Sequence, residues 1–249
     1  MKDIKIIIAT HKQYFMPSDD MYLPLHVGKS GKEELGYQGD DAGDNISLKN
    51  PNFCELTGLY WAWKNLPNDY LGLIHYRRFF SVKNCAERKK NPLETLYLTR
   101  EEASQLLSQY DVIVPSKRNY YIETLYSHYA NTLHAEHLDV TREIIAEKCG
   151  EFLGSFDAVM KQRGGYMFNM FIMSKELVND YCSWLFPILF ELEKRIPAEQ
   201  YSVFHARFYG RVSELLFNVW LKQYSQSKLL KVKAIPFVYG EKINWLKKG

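Results

Sequence analysis

Residues 69–80 read DYLGLIHYRRFF. Leu71, Gly72, Leu73 and Ile74 form an unbroken apolar run, the pattern of a strand covered on both faces in a parallel sheet. His75, Arg77 and Arg78 follow without a break, framed by Tyr76, Phe79 and Phe80. Two guanidiniums at the end of a buried strand need an anionic partner. It is either a carboxylate of the chain, such as Asp111 or Glu55, or an anionic group on a ligand. In open α/β sheets ligands bind beyond the carboxyl ends of the strands, and the planar fork of arginine grips phosphate with two hydrogen bonds. Along an uninterrupted strand, side chains alternate. His75 and Arg77 are therefore expected to share the ligand face, with Arg78 turned away into an internal ion pair.

The same reading extends outward. Ile4 to Ala9 is a second continuous apolar run and predicts a buried N-terminal strand. Residues 17–52 are rich in Gly, Asp, Asn, Ser and Pro and predict a long loop region. PNFCELTGLYWAWKNL (51–66) carries Leu56, Leu59, Tyr60 and Trp63 at helical spacing, starting at Pro51 or Asn52. LTREEASQLLSQY (98–110) reads as a crossover helix between the opening stretch and a third strand, YDVIVPSK (110–117), a βαβ rhythm. Residues 119–162 are expected to be helical and GGYMFNMFIMSKE (164–176) a further buried strand. KELVNDYCSWLFPILFELEKRI, with Pro187, and RFYGRVSELLFNVWLKQY are expected to be amphipathic helices, before a last strand in LKVKAIPFVYGEKINW. No repeat or linker interrupts the pattern. The expectation is one α/β domain over residues 1–249, a mixed sheet flanked by helices.

Composition narrows the function classes. A net charge of +3 is too small for a general polyanion-binding surface, so no nucleic-acid partner is expected. The 15% aromatic content fits an aromatic-rich core first, and a sugar- or base-binding cleft second. Cys54, Cys85, Cys149 and Cys182 show no close pairing and read as reduced thiols. The N-terminal MKDIKIIIATHK is too short in its apolar run for a signal segment, and no window reaches the ~18 apolar residues of a membrane span. A cytoplasmic protein is expected. The C-terminal EKINWLKKG sets Trp245 among Lys242, Lys247 and Lys248, a thin patch for peripheral contact with an anionic membrane, though three lysines more commonly make a solvated tail.

Other motifs stay open. GDDAGDNIS (39–47) groups Asp40, Asp41, Asp44 and Asn45 in a Gly-punctuated loop able to bind a hard cation, to cap its own turn, or to hydrogen-bond sugar hydroxyls or a base edge. It is not an EF-hand, since Asn52 stands at the twelfth position counted from Asp41. His134 and His137 in HAEHLD have metal-ligand spacing but lack further ligands, which favours a solvated helix face. Serine-hydrolase, P-loop and dinucleotide fingerprints do not occur.

Five motifs in fixed order, GDDAGDNISLKNPNFCELTGLYWAWKN, DYLGLIHYRRFF, RNYYIETLYSHYA, MFNMFIMSKE and EKINW, resemble a bacterial family of capsular and exopolysaccharide glycosyltransferases catalogued as domain of unknown function 4422. The resemblance implies a GT-A-like, Rossmann-like nucleotide-sugar-binding fold. It also implies transfer of galactose, including galactofuranose, from a UDP-sugar to a saccharide or lipid-linked acceptor. In the related glycogenin-like enzymes, an Asp-x-Asp motif at the corresponding strand end holds a metal. Here His75-Tyr76-Arg77 stands in its place, so transfer is expected to need neither metal nor cofactor, with His75 and Arg77 serving the leaving diphosphate. The resemblance further implies Glu214 as the base. Thr10, His11, Asp40, Asp41, Asp44, Asn45, Tyr76 and Arg78 fall on the donor side. Tyr120, Tyr121, Glu123, His128, Met167 and Asn169 fall around the sugars. A non-catalytic carbohydrate or nucleotide-sugar module and a UDP-sugar hydrolase are the competing readings.

Overall fold

The computed structural model describes residues 2–227 and 229–240; the EKINWLKKG tail lies outside the described residues. The first half of the chain runs through β1 (Ile4–Thr10), β2 (Tyr22–His26), β3 (Gln38–Gly39), α1 (Asn50–Phe53), α2 (Leu56–Asn65), β4 (Tyr70–His75) and β5 (Arg78–Phe80), followed by α3 (Cys85–Lys90) and α4 (Arg100–Leu107). Next come β6 (Val112–Pro115), β7 (Arg118–Asn119), α5 (Leu125–Thr132), α6 (Ala135–Lys148) and α7 (Leu153–Met160). The last part holds β8 (Gly164–Gly165), β9 (Phe171–Ser174), α8 (Lys175–Arg195), α9 (Phe208–Ser227), β10 (Val232–Ile235) and β11 (Phe237–Tyr239).

The main sheet has the order β10-β6-β9-β4-β1-β2-β3. β1 lies parallel to β2 and β4, while β9 runs antiparallel to both β4 and β6. The crossover from β4 through α4 to β6 therefore joins two strands of the same direction, as the βαβ rhythm predicts, but β9 is inserted between them. Both faces are covered. Ile7, Leu71, Leu73, Phe171 and Met173 enter a core shared with α8 and α9, while Ile6, Ile8, Ile74, Ile113 and Ile172 enter a second core on the other side. The period of two in the strands supplies both cores at once. Much of the aromatic content is structural, since Trp220, Tyr181, Phe171 and Phe217 are fully buried together.

Four expectations about the elements are corrected. The predicted loop 17–52 contains β2, whose Leu23 and His26 pair with Ile7 and Thr10. Pro24 is tolerated there because β3 pairs only with Leu25 and His26, leaving Pro24 without a ladder partner on that side. The predicted helix at 51–66 is broken at Cys54, whose φ of +53° ends α1 before α2 begins. The opening stretch is a hairpin: β4 and β5 are antiparallel, Tyr76 and Arg77 make the turn, and His75 pairs with Arg78. The predicted last strand is split at Pro236 into β10, parallel to β6, and β11, antiparallel to β5. Pro187 sits inside α8 with both its own position and that of Ser183 on the exposed face, so water can serve the carbonyl whose partner the proline removes.

His134 and His137 do not form the expected solvated face. His137 is fully buried, stacks on Phe208 at 3.8 Å and meets the Tyr129 hydroxyl through Nδ1 at 3.0 Å. Burial, then the nearby His134 and His205, push its pKa down to about 4.

Lys175 fixes α8 to α2. Its ammonium donates to the carbonyls of Ala62, Trp63 and Leu66 at 3.1, 2.7 and 2.7 Å, placing a cation on the negative end of α2. Replacing Lys175 with Met strands those carbonyls and is expected to destabilise the fold by about 2 kcal/mol in urea denaturation.

Candidate functional site

The β4–β5 hairpin forms one wall of a cavity of about 550 Å³, within the size range of small-ligand sites. His75 and Arg78 reach it side by side because their register pairing puts them on the same face of the hairpin. Cys54 and Glu55 enter between α1 and α2, Met167 and Phe168 ahead of β9, and Arg207, Arg211 and Glu214 from the start of α9. Arg118, Tyr120 and His128 come from β7 and α5 opposite.

The backbone around the cavity is strained. Cys54, Phe168 and Asn169 hold φ values of +53°, +77° and +51°, in the left-handed region that favours glycine. The strain is used to aim side chains at one carboxylate. Glu55 accepts a hydrogen bond from Asn169 Nδ2 at 2.8 Å, and its other oxygen lies 3.4 Å from His75 Nε2. Asn169 is itself fixed, donating to the Gly210 carbonyl at 3.0 Å and accepting from Ser213 Oγ at 2.8 Å. Burial alone would raise the Glu55 pKa, but the hydrogen bonds from His75 and Asn169 outweigh it and hold the carboxyl below its usual value. Glu214 goes the other way. Burial and the negative Glu55 push it up to about 7, against the pull of the Phe168 backbone, Arg78 and Arg211. Two carboxylates at one cavity thus have pKa values driven apart, the pattern that separates acid and base roles in enzyme sites.

The cations are in excess. The Arg78 guanidinium lies over the Phe168 ring at 4.0 Å, and its Nε is buried with no hydrogen-bond partner. Arg211 sits over Phe204 at 4.3 Å and Arg118 over Tyr120 at 5.2 Å. Arg207 donates to Cys54 Sγ at 3.1 Å. Among the described residues none of these four arginines is ion-paired with a carboxylate. An unpaired buried donor on a cation is costly, and an anionic ligand would relieve that cost.

Residues 5–226 match the family model described as "Domain of unknown function (DUF4422)". The chain belongs to that family. No curated protein matches it in sequence. Among solved structures, this DUF4422 chain is similar to the apo structure of the bifunctional glycosyltransferase WbbM, with 31% identity and a TM-score of 0.89. The similarity covers 96% of this chain and 45% of that one, so the chain spans less than half the length of WbbM. The fold is therefore the mixed, GT-A-like α/β sheet expected of the family.

On this DUF4422 fold, His75, Arg78, Tyr120, His128, Met167 and Glu214 line the cavity together. Asn169 stands behind Glu55, and Glu123 holds His128 Nδ1 at 2.6 Å while Tyr120 stacks on the same imidazole at 3.9 Å. Tyr121 projects into solvent. The arginine at the cavity is Arg78, where Arg77 was expected. Arg78 lines the cavity without an internal ion pair, whereas Arg77 does not line it and lies 5.0 Å from the Tyr76 ring. The reason is the hairpin turn, which interrupts the alternation assumed for a straight strand.

Tyr76 packs edge-on against His11 at 5.2 Å, and Thr10 is buried with its hydroxyl donating to the Lys12 carbonyl. Asp40 is also fully buried, accepting from the Gly28 and Lys29 amides and from Ser47 Oγ. It organises the loop after β2. Asp44 accepts from the Tyr60 hydroxyl, and Asn45 bonds the carbonyls of Asp41 and Gly43; none of the four lines the cavity. Among the described residues no three His, Cys, Asp or Glu side chains converge as a metal site.

Arg118, Arg207 and Arg211 are cavity residues that the sequence did not single out, whereas Glu55, weighed there as an internal partner for the strand-end cations, lies beside His75. For Arg207, Arg211 and Glu214 a signal was available, since spacings of four and three place them on one helical face. For Glu55 the charge of the strand end was the signal, but the break at Cys54 that turns it toward the cavity is hidden inside a helical pattern.

The raised Glu214 pKa has a stability consequence. A carboxyl whose folded pKa of about 7 exceeds its unfolded value favours the fold fully below pH 4.5, and that contribution is lost as pH rises through about 7. Replacing Glu214 with Gln removes this pH dependence. Thermal melts from pH 5 to 8 should show the variant gaining on the wild type as pH rises, reaching about 2 kcal/mol at pH 8.

Proposed function

We propose that the protein is a glycosyltransferase. In this reading it moves a hexosyl residue, galactose in its pyranose or furanose form, from a UDP-sugar to a saccharide or lipid-linked acceptor during surface-polysaccharide assembly. The observation that carries the reading is the cavity itself: four arginines without carboxylate partners line it together with a half-buried Glu214, on a fold similar to part of a glycosyltransferase. An anionic leaving group and a base for a hydroxyl nucleophile are what sugar transfer requires.

The chemistry follows from the positions. The acceptor hydroxyl attacks the anomeric carbon, its proton passes to ionised Glu214, and the bond from that carbon to the diphosphate oxygen breaks. Charge then grows on the departing nucleoside diphosphate, which Arg78, Arg207 and Arg211 can receive without reorganising. Glu55 acts at one remove, fixing the His75 ring that shares this wall. The Asp-x-Asp position of the related enzymes is occupied here by His75 and the turn residues Tyr76 and Arg77, so protein cations are proposed to do the work a metal does elsewhere. The residues near His75 support that reading, because the carboxylates at this cavity wall are Glu55 and Glu214 and Glu55 is already held by two side chains.

A donor screen by UDP release, over UDP-galactopyranose, UDP-galactofuranose, UDP-glucose and their N-acetyl forms, tests the assignment. Transfer predicts release that an acceptor increases. Release of free sugar that no acceptor increases would make the protein a hydrolase, and binding without release would make it a non-catalytic module. Glu214→Gln should lower turnover by at least ~100-fold while donor binding persists, and the wild-type rate should rise with pH through about 7. Arg78→Ala should weaken donor binding by about tenfold or more, and Arg77→Ala should leave it nearly unchanged. Activity should survive EDTA; loss restored by Mn2+ would overturn the metal-independent route.

A further inference from the structure

The described surface exposes few large apolar side chains, and four of them occur as two consecutive pairs beside the same cavity. Tyr121 and Ile122 are 80% and 87% exposed, next to the cavity residue Tyr120. Val203 and Phe204 are 88% and 53% exposed, with Phe204 under the cavity residue Arg211. Neither pair is a loose loop. Tyr121 is held at φ +56°, the Ile122 amide donates back to the Tyr120 carbonyl at 2.6 Å, and Arg163 bonds the Tyr121 carbonyl. On the other side the Ala206 amide bonds the Ser202 carbonyl, and His205 meets His134 at 3.1 Å, tying this tip to the junction of α5 and α6. Backbone strain that points an isoleucine at water has a structural cost that calls for a use.

We propose that these two tips dock the cavity mouth onto an anionic lipid bilayer. Ile122 and Val203 offer a saccharide nothing to bond, and aliphatic tips gain free energy only by entering an apolar phase. Basic side chains accompany them, all at least partly exposed: Lys117 and Arg163 outnumber Glu123 beside the first tip, and the rim of the cavity adds Arg118 there and Arg207 and Arg211 beside the second. Apolar tips with adjoining cations match the boundary between acyl chains and anionic headgroups. A second protein molecule fits less well. Four side chains on two separate tips fall short of the ~800 Å² per partner that a stable interface buries. No helix among the described residues is long and apolar enough to cross a membrane, so the contact would be peripheral. The proposal does not depend on the transfer reaction.

Co-sedimentation with phosphatidylcholine vesicles, with and without phosphatidylglycerol, tests it on the full chain. The wild type should bind the anionic vesicles about tenfold more tightly than the neutral ones, and the difference should shrink with added salt. The double variant Ile122→Asp, Val203→Asp should lose about tenfold in vesicle binding, with unchanged circular dichroism and melting temperature. Three results would overturn the proposal. They are no wild-type binding, equal binding by the double variant, which would move the contact to residues 241–249, and concentration-dependent self-association in light scattering that the double variant abolishes.

Discussion

Across the tight turn at Tyr76 and Arg77, His75 and Arg78 pair in antiparallel register, and the rest of the site depends on that pairing. It turns a strand end into a wall with two nitrogen-bearing side chains on one face. It also sends β5 back alongside β11, so Tyr239 comes within 5.9 Å of the Arg78 guanidinium. Had the strand run straight, Arg78 would have entered the opposite layer, among Ile8, Ile74 and Tyr76. Desolvating a guanidinium there would be prohibitive. The reversal avoids that cost and leaves the charge at the cavity, with an aromatic face beneath it in place of a carboxylate.

The electrostatic character of the site comes from an unequal treatment of its two glutamates. Glu55 is given donors and keeps its charge, and that charge makes ionising Glu214 harder. The arrangement opposes stability. Left-handed backbone at Cys54, Phe168 and Asn169, an orphaned Arg78 Nε and a carboxyl shifted toward neutrality each work against the fold. Natural sequences break local rules mainly where function asks for it. That these features converge on one cavity argues for its use more strongly than its volume does.

Elements that bury a long, regular apolar pattern were legible in the sequence. β1, β4, α8 and α9 stand where periodicity puts them, because strand and helix periods are set by the backbone and each element covers a continuous core face. Elements defined by a single residue's conformation were not. β2 carries a proline, α1 ends on a cysteine at positive φ, and a hairpin turn of Tyr and Arg lacks the usual Asn-Gly signal. The insertion of β9 between β4 and β6 is a long-range choice to which no local pattern is sensitive. In the site, His75, Arg78 and Glu214 could be singled out as unusual residues for their positions. Their grouping, and Glu55 among them, depended on the turn and the break at Cys54. His137 was misjudged because hydrogen-bonded, stacked imidazoles in a core look the same in sequence as exposed ones.

The split of the last ribbon at Pro236 has a temporal meaning. β5 is made early in synthesis, yet the edge that stabilises it, β11, is made more than 150 residues later, since Phe80 pairs with Phe237. Contacts of such separation close late and at high loop entropy. The wall bearing Arg78 is therefore finished by one of the last described pieces of chain to emerge. A polypeptide cut short before β11 would retain most of the sheet and both carboxylates but lack the strand that backs its cationic wall, so completeness of the chain and competence of the site are joined in one ladder.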